Sequence, residues 1–361
     1  MKKYCKMIIT SLVMLMLMLM LVGGQALASE LNFGVVPTIP DFQVDKEKTY
    51  FDIKVNKGDE QELEVTLKNH TKKAVVVQTT FNRATTNVNG IVEYGIGKFK
   101  EDSTLIHNIE DIVTIDKPEV KLEPNVDQVV KFKINAPKEE FPGILASGIT
   151  FKEKSVDEET EKGQGMAIKN EYAYVIALVM HGNVEQKDIP SDLLLNKVEA
   201  GQVNVRNVIF ANLQNPKSKY LNKLAIDAKI YKKNSDKVVY SNEKEQLQMA
   251  PNSNFDYPIH LEGKKLEAGK YTLKLHATSK DDKWDLEKDF TITKEEAKKY
   301  NKQDVTIKED YTWWYVAGGI IALLLLQLII FLIMKKRKKD KEKKKDKEKK
   351  KDKEKKKVRK D

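Results

Sequence analysis

The sequence predicts an all-β exported region of two tandem β-sandwich domains carried on a single membrane-spanning helix, and three observations predict it. Apolar and polar residues alternate with a period of two through many short runs separated by turn residues, as strands with one face on a core do. Residues 316–334 are apolar apart from Gln327, and five basic residues follow at 335–339. The only cysteine is Cys5, so no disulfide holds the exported part and ordinary hydrophobic cores must do so.

The two ends set the topology. Lys2, Lys3 and Lys6 precede an apolar run at 7–22, and Ala26-Leu27-Ala28 supplies the small residues of a signal peptidase site. Residues 1–28 therefore read as a signal peptide, with the mature chain starting at Ser29; the other reading is an uncleaved second membrane helix. At a rise of ~1.5 Å per residue, residues 316–334 span roughly 28 Å, close to a bilayer's hydrocarbon thickness of about 30 Å. Trp313, Trp314 and Tyr315 suit the headgroup layer, and Lys335, Lys336 and Arg337 mark the cytoplasmic end. Residues 29–312 are then outside, 313–334 span, and 335–361 form a cytoplasmic polybasic tail.

The net charge of +10 is not a property of any folded face. Residues 335–361 hold 19 Lys or Arg against 7 Asp or Glu. With the three signal-peptide lysines also set aside, the exported part is negative, which excludes a nucleic-acid reading. In the tail, D-K-E-K-K-K occurs three times in succession from Asp340. A six-residue period turns ~600° on a helix, so no face accumulates, and the tail reads as solvated and disordered. Its charge still attracts anionic inner-leaflet lipids.

Strand signals come in order. Phe51, Ile53 and Val55 alternate with polar residues in 50–55, and Leu63, Val65 and Leu67 do so in 62–69; further runs lie at 74–83, 127–135 and 148–152. Residues 29–155 read as a first antiparallel sandwich. The glycine-containing acidic stretch 156–169 reads as a loop or linker. Residues 172–180 are almost continuously apolar, as a strand buried on both faces is. They either open a second domain at 170–293 or return to close the first as a hairpin with 147–152. In the second domain, strands are expected at 203–213, 221–231, 238–240, 255–259, 271–277 and 284–292, the last two as a hairpin. Residues 294–312, charged and glycine-free, read as a short stalk compatible with a helix.

Several of these segments carry a family pattern: Phe33-Gly34-Val35-Val36-Pro37, Tyr50-Phe51-Asp52-Ile53, Ala84-Thr85-Thr86-Asn87-Val88-Asn89-Gly90 with Glu93-Tyr94, Phe141-Pro142-Gly143-Ile144, and Ser147-Gly148-Ile149. Tyr172-Ala173-Tyr174, Asn204-Val205 through Asn215, and Gly269-Lys270-Tyr271 continue it. In this order, with the signal peptide, helix and basic tail, the chain resembles the WxL-interacting proteins of Gram-positive surfaces. The resemblance implies two immunoglobulin-like domains, the first binding peptidoglycan and the second of host-binding type. It implies WxL-domain proteins as partners, and host extracellular matrix proteins for some members. Where the family pattern has a Gly-Gly pair before Ile149, this chain has Ser147-Gly148.

Thr85, Thr86, Asn87, Asn89, Gly90 and Tyr94 form the most suggestive polar cluster, with Pro142, Gly143 and Gly148 as a second candidate. Amides and hydroxyls beside an aromatic ring suit a polar glycan; the plainer reading is an Asn-Gly turn closed by Asx-type bonds. Catalysis has little to stand on. The histidines at 70, 107, 181, 260 and 276 show no metal-ligand spacing, and no nucleophile elbow or phosphate loop occurs, so no catalytic residue, metal or cofactor is assigned. Asn69-His70-Thr71 matches a glycosylation sequon, a pattern short enough to arise by chance. The reading is a membrane-anchored binding protein in the cell wall. Its rivals are an accessory subunit that assembles proteins without touching glycan, and a wall glycosidase whose carboxylate pair is assembled from distant positions.

Overall fold

The computed structural model describes residues 32–95, 100–154, 172–307 and 311–357. The expected signal peptide and the linker at 156–169 lie outside them. The chain divides into two compact units after Gln303, and the first contains two β-sandwiches.

The first sandwich is built from β1 (Gly34–Thr38), β2 (Phe51–Lys54), β3 (Glu60–Lys68), β4 (Val75–Thr86), β5 (Val92–Tyr94), β6 (Val113–Ile115), β7 (Glu119–Leu122), β8 (Asp127–Asn135), β9 (Ile144–Glu153) and β10 (Ala173–His181). One sheet has the order β1-β3-β8-β6 and the other β2-β10-β9-β4-β5, with β7 also on β4. The alternation read from sequence is the cause. Leu63, Val65 and Leu67 of β3 and Val130, Phe132 and Ile134 of β8 are all buried, and the register pairs Leu63 with Phe132 and Val65 with Val130. Phe132 then meets Phe151 of the opposite sheet edge to face at 6.2 Å, which is how interdigitating inner faces close a sandwich.

β10 belongs to this sandwich. It pairs antiparallel with β9 along its whole length, Ile176 opposite Ile149, and parallel with β2, Leu178 opposite Phe51. Of the two placements open from sequence, the hairpin return is the one adopted. Asn69, in the apparent sequon, is fully buried. Its amide donates to the carbonyls of Lys73 (2.8 Å) and Leu122 (3.1 Å), so it ties loops together and presents no nitrogen for glycosylation.

The second sandwich comprises β11 (Leu194–Val203), β12 (Arg206–Asn215), β13 (Leu221–Lys232), β14 (Val238–Met249), β15 (Ser253–His260), β16 (Gly269–Ser279) and β17 (Asp282–Ile292). Its sheets are β11-β12-β15 and β14-β13-β16-β17. The β16–β17 hairpin matches expectation, with Tyr271 stacked on Phe290 across it at 5.5 Å. The run expected at 203–213 instead straddles a hairpin. Asn204 and Val205 both take positive φ (48° and 58°) as the tight turn between β11 and β12, a conformation that favours Asn-Gly and disfavours a β-branched residue. Nothing local in Asn-Val advertises it.

Helix α1 (Lys294–Gln303) opens with a capping box. Thr293 N donates to Glu296 Oε2 (2.8 Å) and Glu296 N donates back to Thr293 Oγ1 (3.1 Å), satisfying two donors of the first turn. The stretch expected as a stalk thus begins as a helix folded onto the sandwich: Gln202 Nε2 donates to Tyr300 O and Asn207 Nδ2 to Asn301 Oδ1.

In the second unit, α2 (Thr312–Lys357) carries the apolar span and continues through the basic repeats, where the sequence reading expects disorder. The repeats contain neither Gly nor Pro, Lys and Glu are good helix formers, and each Asp stands four residues before a Lys, the spacing that supports a helix without a tertiary partner.

Candidate functional site

The two sandwiches of the first unit meet along a seam, and the motif residues singled out from sequence lie on it. The turn after β4 is organised by Asn87, whose Oδ1 accepts from Asn89 N (2.9 Å) and Ile91 N (3.2 Å) while its amide donates to Glu93 Oε1 (2.7 Å). The turn reading is therefore structurally real, and the turn also docks. Gly90 has φ +70°, and a Cβ there would stand 2.7 Å from Leu247 Cδ2. Its carbonyl accepts from Gln248 N at 2.7 Å, and Asn89 O accepts from Lys244 Nζ (3.0 Å), both on β14.

Thr86 and Tyr94 add side-chain contacts. Thr86 Oγ1 accepts from Ala250 N (3.0 Å) and shares a hydrogen bond with Ser253 Oγ (2.8 Å). Tyr94 hydroxyl donates to Tyr220 hydroxyl at 3.0 Å, beside an apolar island of Ala84, Ala146 and Ala250. Burial pushes the Tyr94 phenol above its ordinary range and the Tyr220 phenol well above it, the neighbouring Tyr94 adding to the latter. Both phenols stay neutral, Tyr94 as donor and Tyr220 as acceptor.

Of the second candidate group, Gly143 meets the same seam, while Gly148 packs against Tyr94 within the first sandwich. A Cβ on Gly148 would lie 2.2 Å from Tyr94 O, and one on Gly143 (φ +72°) 2.0 Å from Ser218 O. Ile144 N donates to that Ser218 carbonyl (2.9 Å), and Pro142 bridges to Val184. Ser147, standing where the family pattern has glycine, is fully buried and donates its hydroxyl to Leu178 O (3.1 Å). The hydroxyl is satisfied, so serine is accommodated.

A third fastening escapes sequence reasoning. Asp102, almost wholly buried, accepts from Thr104 N (2.9 Å), Thr104 Oγ1 (2.6 Å), Gln214 Nε2 (2.8 Å) and Asn254 Nδ2 (2.6 Å). Burial works to raise its pKa, but the hydrogen bonds from Thr104, Asn254 and Gln214 outweigh it and hold the carboxyl below its ordinary value. Asn252 donates across the seam to Thr104 O (2.9 Å). The available signals were Asp102-Ser103-Thr104, an Asx-turn pattern, and Asn252-Ser253-Asn254, neither of which names its distant partner.

Beside this lock lies a groove of about 680 Å³ with one wall from each sandwich. Thr85, Thr86, Asn87 and Val88 line one side, and Asn196, Asn212, Gln214 and Asn254 the other. The amides form a directed chain. Asn196 Nδ2 donates to Asn212 Oδ1 (3.1 Å) and Gln214 Oε1 (3.0 Å); Asn212 Nδ2 donates to Asn254 Oδ1 (3.2 Å) and Asp256 Oδ1 (2.8 Å).

Away from the seam, the buried Asp52 binds His181 Nε2 (2.5 Å) and Lys48 Nζ (2.7 Å). Burial opposes ionisation there, and the bonds to Lys48 and His181 overcome it, lowering the pKa. This knot fastens β2 to β10. Trp313, Trp314 and Tyr315 are exposed in the first turn of α2, and Lys335, Lys336 and Arg337 are exposed beyond its apolar stretch. Among the described residues α2 is the one helix long and apolar enough to cross a membrane, and no cluster of His, Cys, Asp and Glu is arranged to hold a metal.

Two family models match the chain. The peptidoglycan binding domain of WxL Interacting Protein covers residues 33–153, and the host binding domain of WxL Interacting Protein covers residues 163–302. No curated protein matches it. Among solved structures, the E. coli chaperone DraB aligns at 16% identity over 72% of this chain and 97% of its own, with a TM-score of 0.26. A chain of a chaperone–tip adhesin complex of CFA/I fimbriae aligns at 9% identity over 72% and 98%, TM-score 0.28. A family 123 glycoside hydrolase from Clostridium perfringens aligns at 13% over 43% and 28%, TM-score 0.26. Likenesses at these scores carry no argument about ligands or catalysis.

Proposed function

This chain belongs to the WxL-interacting protein family, and from that premise we propose that it is a non-catalytic, membrane-anchored bridge between the cell wall and a WxL-domain surface protein. The peptidoglycan-binding and host-binding modules give it a cell-surface binding role toward wall and host. The observation that best supports the finer reading is succession in one chain: a wall-binding module, a host-binding module, an apolar helix and a basic run. Such a chain holds to the membrane through α2, with Trp313, Trp314 and Tyr315 at the outer headgroups and Lys335, Lys336 and Arg337 at anionic lipid on the cytoplasmic side. Thr85 and Asn87 are the first-sandwich residues we assign to wall contact, while the buried Thr86 fastens the modules through Ala250 and Ser253. Gly90, Tyr94 and Gly143 serve that site by joining the modules, and Pro142 and Gly148 by packing beside them in the first sandwich. Host extracellular matrix proteins are the ligands proposed for the second module.

The test uses the full chain in detergent with purified sacculi, a WxL-domain protein and immobilised matrix protein. Sedimentation with sacculi without release of soluble muropeptides, together with capture of the WxL protein, is expected. No sedimentation alongside WxL capture favours the assembly-subunit reading, and released muropeptides overturn the non-catalytic one.

A further inference from the structure

We propose that the groove between the sandwiches is one composite subsite for a chain of N-acetylated hexosamines, built jointly by the two modules. This deepens the wall-binding reading and rests on it. Carboxylates only accept hydrogen bonds, so Asp102 and Asp256 force Gln214, Asn254 and Asn212 to turn their NH₂ groups toward them. Their carbonyl oxygens must then face the other way, and Asn196 feeds two of them with both its N–H bonds.

Every amide orientation is thereby fixed. The exposed Asn196 keeps its Oδ1 as an open acceptor and the exposed Asn254 keeps one N–H. A preset pattern of neutral donors and acceptors complements an N-acetyl group, which carries one N–H and one C=O, and the hydroxyls around it. Thr85 adds a hydroxyl from the facing wall, and Val88, 41% exposed, offers an apolar surface to the acetyl methyl. Arg83 and Lys100 line the groove together with Glu101, Asp102 and Asp256; acidic groups outnumber basic ones there, so the ligand is the neutral glycan of the wall and not an anionic polymer attached to it. The groove's volume lies within the ~300–1,000 Å³ usual for ligand sites.

The wall-binding module alone, by this geometry, holds only half of the site. The experiment measures sedimentation of the full chain in detergent with teichoic-acid-free peptidoglycan, before and after chemical de-N-acetylation. Asn196→Ala removes the head of the amide chain and Thr85→Val the opposite hydroxyl; thermal melting establishes that each variant is folded. Each substitution is expected to weaken binding about five-fold or more with little change in melting, and de-N-acetylated wall should bind the wild type correspondingly less. Wild-type sedimentation unaffected by Asn196→Ala, or equal binding to de-N-acetylated wall, overturns the composite site while leaving the wall-binding role intact. Absence of wild-type sedimentation overturns both. Should Asn196→Ala fail to fold, Asn196→Ser gives the same reading.

Discussion

Gly143 and Gly58 have nearly the same backbone angle, φ +72° and +73°, and differ in surroundings: a Cβ at 143 meets Ser218 O at 2.0 Å, whereas one at 58 meets nothing within 4 Å. Gly58→Ala should cost about 1 kcal/mol of backbone strain alone. Gly143→Ala should cost about 3 kcal/mol or more, because the seam must also open; denaturant melts of both variants check the difference. Asp102 yields a second prediction, about pH. Its pKa is held below the ordinary value in the fold, so its stabilisation is complete above the unfolded value of about 3.9 and is lost as pH falls through the folded value. Melting temperature followed from about pH 5 to about pH 3 should fall more steeply for wild type than for Asp102→Asn, which has no proton to gain. Parallel curves would remove Asp102 from the acid response and leave the comparable Asp52 knot to account for it.

At the scale of elements, β10 decides where the first module ends. The model of the wall-binding domain stops at residue 153, yet β2 is bonded into its sheet through β10, and Ile176, Leu178 and Met180 sit in the first core. A chain truncated after residue 155 should aggregate or melt without cooperativity, since it exposes the edges of β9 and β2 and loses three core side chains. One extended to residue 190 should show a cooperative transition, and circular dichroism melts compare the two. In the second module, Val205→Gly should stabilise by up to about 1 kcal/mol, because glycine occupies the left-handed region that Val205 is forced into. No gain on melting would mean that unfolded-state entropy cancels the relief. The long strands were legible because alternation is local; β1, β5, β6 and β7 were too short to show it, and β11 was missed because its turn carries no glycine.

For the whole molecule, orientation follows from charge asymmetry about α2. Protease added to wall-stripped cells should digest residues 29–312 and spare an epitope at residue 361, and replacing residues 335–339 with Asp should misplace the anchor whereas scrambling 340–361 should not. A protected ectodomain would reverse the topology and remove the functional reading with it. The sequence by itself determined the strand-rich class, the apolar helix with its basic flank, and the family, because periodicity, length and ordered motifs are properties of neighbouring residues. Only the tertiary structure decided that β10 closes the first sandwich and that Gly90, Gly143 and Tyr94 serve the joint between modules. It alone assembled the amide-lined groove from Thr85 on one side and Asn196 on the other. The physical reason is distance along the chain: Thr86 bonds Ser253 and Asp102 bonds Asn254 across some 150 or more intervening positions. Such pairings leave no periodic trace in either segment and are fixed only when both cores have formed.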